Sequence, residues 1–193
     1  MRHVEIKRKT SETDIHLSFA LDGSGEYDLS TGIPFFDHML TLFAVHGSFD
    51  LKLHADGDIE VDGHHTVEDI GICLGQALSE ALGNKAGITR YGSFYLPMDE
   101  TLVRVVLDLS NRPFLHYEAP VREPMLGGFD TMLTKEFFRA VCQHGGITLH
   151  IDLLHGENGH HIIEAVFKAF ARALAEAVTP LVDGRVMSSK GCL

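Results

Sequence analysis

Two stretches of the chain carry an apolar face at helical spacing. Val67, Ile70, Leu74, Ala77, Leu78 and Ala81 form one, and Ile163, Val166, Phe167, Phe170, Leu174 and Val178 the other. Steps of three and four residues put those side chains on one stripe, which predicts amphipathic helices over Asp69 to Leu82 and Ala165 to Val178. Elsewhere the alternation has period two. Val4 to Thr10 and Asp14 to Leu21 read as paired strands closed by the turn Asp22-Gly-Ser-Gly25, and Tyr91 to Pro97 and Glu100 to Leu109 as a second pair around Met98-Asp99.

The pattern is written twice. His64-His65 followed by Glu68 recurs as His160-His161 followed by Glu164, and upstream the run from His38 to Gly47 aligns with the run from Glu136 to Gly145. A strand-like run follows each (Ser48 to His54, Gly146 to Asp152), and the halves then differ by a two-residue loop deletion before the double histidine. Each half reads as helix, strand, loop, helix, with further strands before it. That is the content of a two-layer α/β unit of the α+β type, its helices on one face of a sheet. Duplication implies two such units packed face to face in a single domain, residues 1–193, with repeats of about 1–90 and 91–182 and a C-terminal tail 183–193.

Composition narrows the function. A net charge of −11 and the lack of any Lys/Arg-rich run give no field for a nucleic-acid backbone. The N-terminus has charges where a signal peptide needs an apolar core, and no run of about 18 apolar residues offers a membrane span, so a cytoplasmic protein is expected. Cys73, Cys142 and Cys192 fit neither a disulfide framework nor a thiolate zinc site; two read as core residues and Cys192 as part of the tail. Thirteen histidines in 193 residues are roughly three times the ordinary share of about 2%, and they cluster.

On a helix, residues three and four apart share a face while neighbours diverge by about 100°. His64 and Glu68 can therefore grip one ion together while His65 aims elsewhere, and the second motif repeats the geometry. With His38 and Glu136 from the preceding helices, the candidate metal ligands are His38, His64, His65, Glu68, Glu136, His160, His161 and Glu164. Imidazole and carboxylate without thiolate suit manganese, iron, cobalt, nickel or zinc, and the mixed set leans towards manganese or iron. A lone histidine at a helix start is more often part of a cap or turn, and Asp62-Gly63 and Asn158-Gly159 have that character; writing the motif twice favours the metal. His3, His16, His54, His116, His150 and His155 have no spacing partner and read as structural or solvated, while His46 and His144 sit at equivalent positions before a glycine.

Gly32-Ile-Pro-Phe-Phe-Asp-His38-Met-Leu, Asp62-Gly-His-His-Thr-Val-Glu-Asp69-Ile, Asn158-Gly-His-His-Ile-Ile-Glu-Ala-Val-Phe-Lys168-Ala-Phe and Ser188-Ser-Lys-Gly191 resemble the hallmark blocks of the imidazoleglycerol-phosphate dehydratases of histidine biosynthesis, from about Arg8 to Gly191. The resemblance implies duplicated four-stranded sheets with helices on one face and a homo-oligomeric shell of 24 subunits. It also implies two manganese ions per active site, shared between subunits. It carries ligand roles onto His38, His64, His65, Glu68, His160, His161 and Glu164; the eighth falls on Glu136, where the family often has His. Arg90, Arg112, Ser189 and Lys190 match phosphate-contact positions, with Ser188, Lys168 and His46 as further substrate-binding candidates. The implied reaction is metal-dependent dehydration of a small-molecule phosphate, imidazoleglycerol phosphate, to imidazole acetol phosphate, through an imidazolate and a diazafulvene-like intermediate, with Glu12, Glu68, Asp99 and Glu164 as acid/base candidates. The rival readings are a dinuclear metallohydrolase of phosphate esters and a metal-stapled shell.

Overall fold

The computed structural model describes residues 2–191, so Cys192 lies outside the described residues. The first half runs β1 (His3–Lys9), β2 (Thr13–Ala20), β3 (Tyr27–Ser30), α1 (Pro34–Gly47), β4 (Asp50–Gly57) and α2 (His64–Leu82). The second runs β5 (Tyr91–Met98), β6 (Thr101–Asp108), β7 (Phe114–Glu118), a small hairpin of β8 (Met125–Leu126) and β9 (Phe129–Asp130), α3 (Leu133–Gly145), β10 (Thr148–His155) and α4 (Gly159–Ala177). The sheets have matching orders, β1-β2-β4-β3 and β5-β6-β10-β7. In each, the last pair alone is parallel, β3 with β4 and β7 with β10. The fold is therefore α+β with two similar halves, each a four-stranded sheet with helices on one face.

Three strands of each sheet follow the alternation read from the chain; β3 and β7 do not. Both are edge strands with a single neighbour, and in Tyr27-Asp-Leu-Ser30 only Leu29 is drawn towards the core. So short an edge has no period to detect. The helices also begin earlier than their apolar stripes, and the histidine doublets occupy their first turns.

One face of each sheet is apolar. Ile15, Leu17 and Phe19 of β2 and Leu51 and Leu53 of β4 are buried, as are Val103, Val105 and Leu107 of β6 and Leu149 and Ile151 of β10. The opposite faces carry solvated groups, among them His16, His54 and His150. Helices α1 and α2 cover the first sheet, α3 and α4 the second, and the two helix layers meet crosswise, α1 on α4 and α2 on α3. Phe36 and Phe43 of α1 interlock there with Phe137 and Phe138 of α3 and Phe167 and Phe170 of α4, ring centroids 5.1 to 6.4 Å apart. Burying each such ring stabilises the fold by about 2–3 kcal/mol.

The contact of α2 with α3 is closer than side chains would permit. A Cβ on Gly71 would lie 2.8 Å from the Phe137 carbonyl oxygen, and one on Gly75 2.8 Å from that of Val141. Two glycines one turn apart thus admit the α3 backbone and set the spacing between Glu68 and the helix carrying Glu136. The buried Lys85 of the first half donates from Nζ to the Gly145 carbonyl at 3.0 Å, closing the C-terminus of α3; burial pushes its ammonium down to about 8. Cys73 and Cys142 are buried, with burial the leading cause that pushes their thiols up to about 11 and about 12. No helix among the described residues is long and apolar enough to cross a membrane.

Candidate metal centre and anion cleft

Both doublets open a helix, where the first backbone N–H groups lack intrahelical acceptors. Asp62 Oδ1 accepts from the His64 N–H at 2.7 Å, and Asn158 Oδ1 from those of His160 at 2.9 Å and His161 at 3.4 Å. Asn158 is thus a side-chain cap of α4, whereas α2 has Gly63 as its N-cap without a side-chain bond and Asp62 holds His64 from one residue before it. Neighbouring rings then splay, with interplanar angles of 82° for His64 and His65 and 86° for His160 and His161.

The first ring of each doublet turns to the glutamate one turn on. His160 Nε2 lies 3.1 Å from Glu164 Oε2, and His38 of α1, brought in by the α1/α4 contact, lies 3.2 Å from the same oxygen. Ligand atoms of these three residues all fall within 4.8 Å of one another. Two cis ligands about 2.1 Å from one octahedral ion are about 3 Å apart, so the donor set and spacing fit a divalent cation. Glu164 is nearly buried and receives the Lys168 ammonium at 2.5 Å. Burial alone would raise its carboxyl, but Lys168 and the two histidines outweigh that and hold it below the ordinary carboxylate range.

The corresponding place in the other helix pair is looser. His64 Nε2 is 3.8 Å from Glu68 Oε2, and Arg139 bridges Glu68, at 3.5 Å, and Glu136. The position equivalent to His38 thus carries a second carboxylate, and a guanidinium from α3 balances it. Glu136 shares Arg139 with Glu68, but among the described residues it joins no three-residue group as tight as the first.

The second ring of each doublet leaves its own set. His65 Nδ1 meets Asp58 Oδ2 at 3.0 Å, and His161 Nδ1 meets Glu100 Oε2 at 2.9 Å. Each carboxylate is the leading cause that raises its partner imidazole. Glu12 stands on the other side of His65, 3.9 Å from Nε2. The loop bearing Glu12 is anchored through Asp69 of α2, which accepts from Thr13 Oγ1 at 2.6 Å and pairs with Arg8 at 2.9 Å.

A separate cleft of about 710 Å³ is lined by Arg90, Arg112, Arg185, Ser188, Ser189 and Lys190 among others. Arg90 immediately precedes β5 with φ +74, and its guanidinium donates to both Asp108 oxygens, at 2.7 and 3.0 Å, and to the Met187 carbonyl at 2.5 Å. Two of its five donors are left. Arg112 touches Asp108 at 3.4 Å and is mostly exposed. The aperiodic tail folds back here, Gly87 N–H donating to the Arg185 carbonyl at 3.0 Å, which brings Ser188 to Lys190 beside the arginines.

Some sequence candidates fall elsewhere. Lys168 lies on Glu164, not in the cleft. His46 lies in the last turn of α1, with its imidazole pushed down by burial first and then by Lys168 and Arg172. Asp99 is exposed at the β5/β6 turn with φ +50. Sequence reasoning missed Asp58, Glu100, Asp108, Arg139 and Arg185. One signal was available for Glu100: Glu12-Thr13 and Glu100-Thr101 are equivalent dipeptides at the starts of β2 and β6.

The family model for imidazoleglycerol-phosphate dehydratase matches residues 31–174. A protein of that name from Desulfotalea psychrophila is 65% identical over 192 residues, covering 100% of this chain and 96% of the relative; one from Exiguobacterium is 57% identical over 191 residues, covering 99% and 98%. The crystal structure of the Staphylococcus aureus enzyme is similar with a TM-score of 0.85 at 45% identity, covering 92% of this chain and 98% of that one. The Pyrococcus furiosus enzyme, solved in complex with (S)-C348, also gives 0.85, at 38% identity, covering 97% and 100%. With the whole chain matched in sequence and its two half-sheets matched in space, the chain belongs to the imidazoleglycerol-phosphate dehydratase family.

Proposed function

We propose that the chain dehydrates imidazoleglycerol phosphate to imidazole acetol phosphate in histidine biosynthesis, as a metal-dependent homo-oligomer with active sites shared between copies. The observation that carries this reading is the group of His38, His160 and Glu164, assembled from both halves of a chain of this family. We take the halves as repeats of one duplicated unit forming a single domain, with residues 183–193 as its tail.

The geometry favours shared sites. The Arg90 N–H donates to the Ala177 carbonyl at the end of α4, whereas His160 stands at its start. At about 1.5 Å per residue the helix separates the cationic cleft from the metal set by about 25 Å. A ring, three carbons and a phosphate cannot bridge that distance, which supports a reading in which the cleft of one copy serves the His38 metal set of another. The 24-subunit shell inferred from the resemblance is one closed assembly that meets this demand.

His38, His160 and Glu164 would hold one manganese ion and His64, Glu68 and Glu136 the other, each completed by His65 or His161 of a neighbouring copy; other divalent d-block ions suit the same donors. Bound there, the ions supply Lewis acidity that draws charge from the substrate's imidazole ring. Arg112, Lys190 and Ser189 bind and orient the phosphate, with Arg90 contributing its two remaining donors. Elimination takes a hydroxyl from the carbon attached to the ring and a proton from the next carbon, leaving an enol that tautomerises to the ketone. Among the acid/base candidates, Glu68 and Glu164 are held by Arg139 and Lys168, which suits ligands. Among the described residues Glu12 meets no lysine or arginine, and it stands beside His65, which suits the group that takes the proton. Asp99 remains a second proton carrier at the β5/β6 turn.

The test is turnover of imidazoleglycerol phosphate by metal-stripped protein refilled with manganese, recording product, free phosphate and particle size together. Product without free phosphate, appearing with large particles as manganese returns, is expected. Free phosphate would replace this reading with a hydrolase, and large particles without product with a metal-stapled shell.

A further inference from the structure

His65 and His161 are the second members of their doublets, and neither joins the ligand set of its own chain. Each meets a carboxylate through Nδ1, at 3.0 Å on Asp58 and 2.9 Å on Glu100. Among the described residues, every other histidine that meets a carboxylate does so through Nε2: His16 on Asp14, His38 and His160 on Glu164, His54 on Asp28, His64 on Glu68 and His116 on Asp152. A carboxylate only accepts, so at both places the neutral ring carries its proton on Nδ1 and its lone pair on Nε2. That tautomer leaves Nε2 as the ligating atom.

The two carboxylates do not descend from one ancestral position. Asp58 follows β4, whereas Glu100 precedes β6 and has Glu12 as its equivalent in the first half. The same contact has been built twice from different parts of the repeat. Duplication alone would have copied one residue; two separate solutions point to a requirement on the histidine. Glu100 also accepts from the Asn158 N–H at 2.9 Å, which ties the cap of α4 to the β5/β6 turn while it holds His161.

Resting on the metal reading above, we propose that Asp58 and Glu100 are positioning residues that fix the ring and tautomer of His65 and His161, so that Nε2 serves as a ligand to an ion held by another copy of the chain. Supporting groups of this kind change metal affinity by about 10- to 100-fold when removed.

Metal-stripped wild type, Asp58→Asn, Glu100→Gln and the control Asp28→Asn would each be titrated with manganese by equilibrium dialysis, with particle size and the melting temperature of the stripped protein measured beside it. Both amide variants keep near-native volume, so the stripped proteins should melt as wild type does, but their NH2 can face Nδ1 and favour the other tautomer. The expected result is manganese binding weakened by about tenfold or more in Asp58→Asn and Glu100→Gln, assembly shifted to correspondingly higher manganese, and Asp28→Asn unchanged. Wild-type affinity in both variants overturns the positioning role. So does a loss matched by a lower melting temperature of the stripped protein, or a loss shared by Asp28→Asn. A wild type that binds no manganese instead overturns the metal reading itself.

Discussion

His38 Nε2 lies 3.2 Å from Glu164 Oε2 although 126 residues separate them in the chain. The contact exists because α1 of one half packs on α4 of the other, so the three-residue group forms only when both halves are folded and docked. Glu164→Gln removes the charge this group needs and also strands the largely buried Lys168 ammonium, at a cost in stability. The double substitution Glu164→Gln/Lys168→Met removes both charges and should keep the melting temperature within a few degrees of wild type. Its expected phenotype is loss of tightly held metal and a fall in turnover of about 100-fold or more. Metal content by elemental analysis decides it: a full complement in the double variant would remove Glu164 from the ligand set.

In the cleft, Arg90 and Arg112 should behave differently despite bearing the same group. Arg112 is mostly exposed and only grazes Asp108, so Arg112→Ala should raise KM by about 10- to 100-fold, the loss of one charge-assisted anion contact, and leave thermal stability unchanged. Arg90 holds Asp108 with two donors and the tail through Met187, so Arg90→Ala should lower the melting temperature as well as raise KM. Steady-state kinetics beside thermal denaturation separates the two, and equal melting losses would contradict the assignment.

The divergence of the doublets was legible because it follows from 3.6 residues per turn, a local rule needing no tertiary knowledge. Six strands of the two four-stranded sheets and the Asn158 cap of α4 were legible from local patterns as well. Which helix His38 would meet was not, since the pairing of α1 with α4 depends on how two apolar layers fit. Asp58 and Arg139 carry no local signature: one is a loop carboxylate, the other a charged helix position like many exposed ones, and only folding sets them on His65 and Glu136. Gly71 and Gly75 look like poor helix residues in sequence, and their reason is visible only with the α3 backbone against them.

Arg2 ties the start of the chain to two places. Its guanidinium and backbone N–H hold Asp22, and Nη1 donates to the Val178 carbonyl at 2.7 Å. The Arg2 side chain beside it pushes the Asp22 carboxyl down to about 2. A depressed carboxyl contributes stability that is present above its unfolded value near 3.8 and is lost as pH falls towards 2. Because Asp22 is 41% exposed, solvent screening cuts the contribution to about 1 kcal/mol or less. Asp22→Asn should therefore melt about 2–4 °C below wild type at pH 7. Chemical denaturation at pH 5, 4 and 3 should show the gap narrowing at the acid end; a constant gap would mean that the ion pair is not its source.

Asp69 is next to Glu68 in sequence but points the other way, into the β1/β2 hairpin, where it meets Arg8 at 2.9 Å and Thr13 Oγ1 at 2.6 Å. Its side chain is 10% exposed and that of Arg8 33%, so Asp69→Asn leaves a guanidinium without its charge partner in a partly dry place, at about 2–3 kcal/mol. Thr13→Val removes one hydroxyl donor, at about 1 kcal/mol. Thermal melting should therefore rank Asp69→Asn well below Thr13→Val. The hairpin also carries Glu12 to within 3.9 Å of His65, so loosening it should lower turnover as well as stability. Glu12→Gln separates the two effects: an exposed carboxylate replaced by its amide should leave melting unchanged while turnover falls by about 100-fold or more, the loss of a positioned acid/base group. If Glu12→Gln turned over normally while Asp69→Asn did not, the hairpin would matter for the fold alone and proton transfer would pass to Asp99.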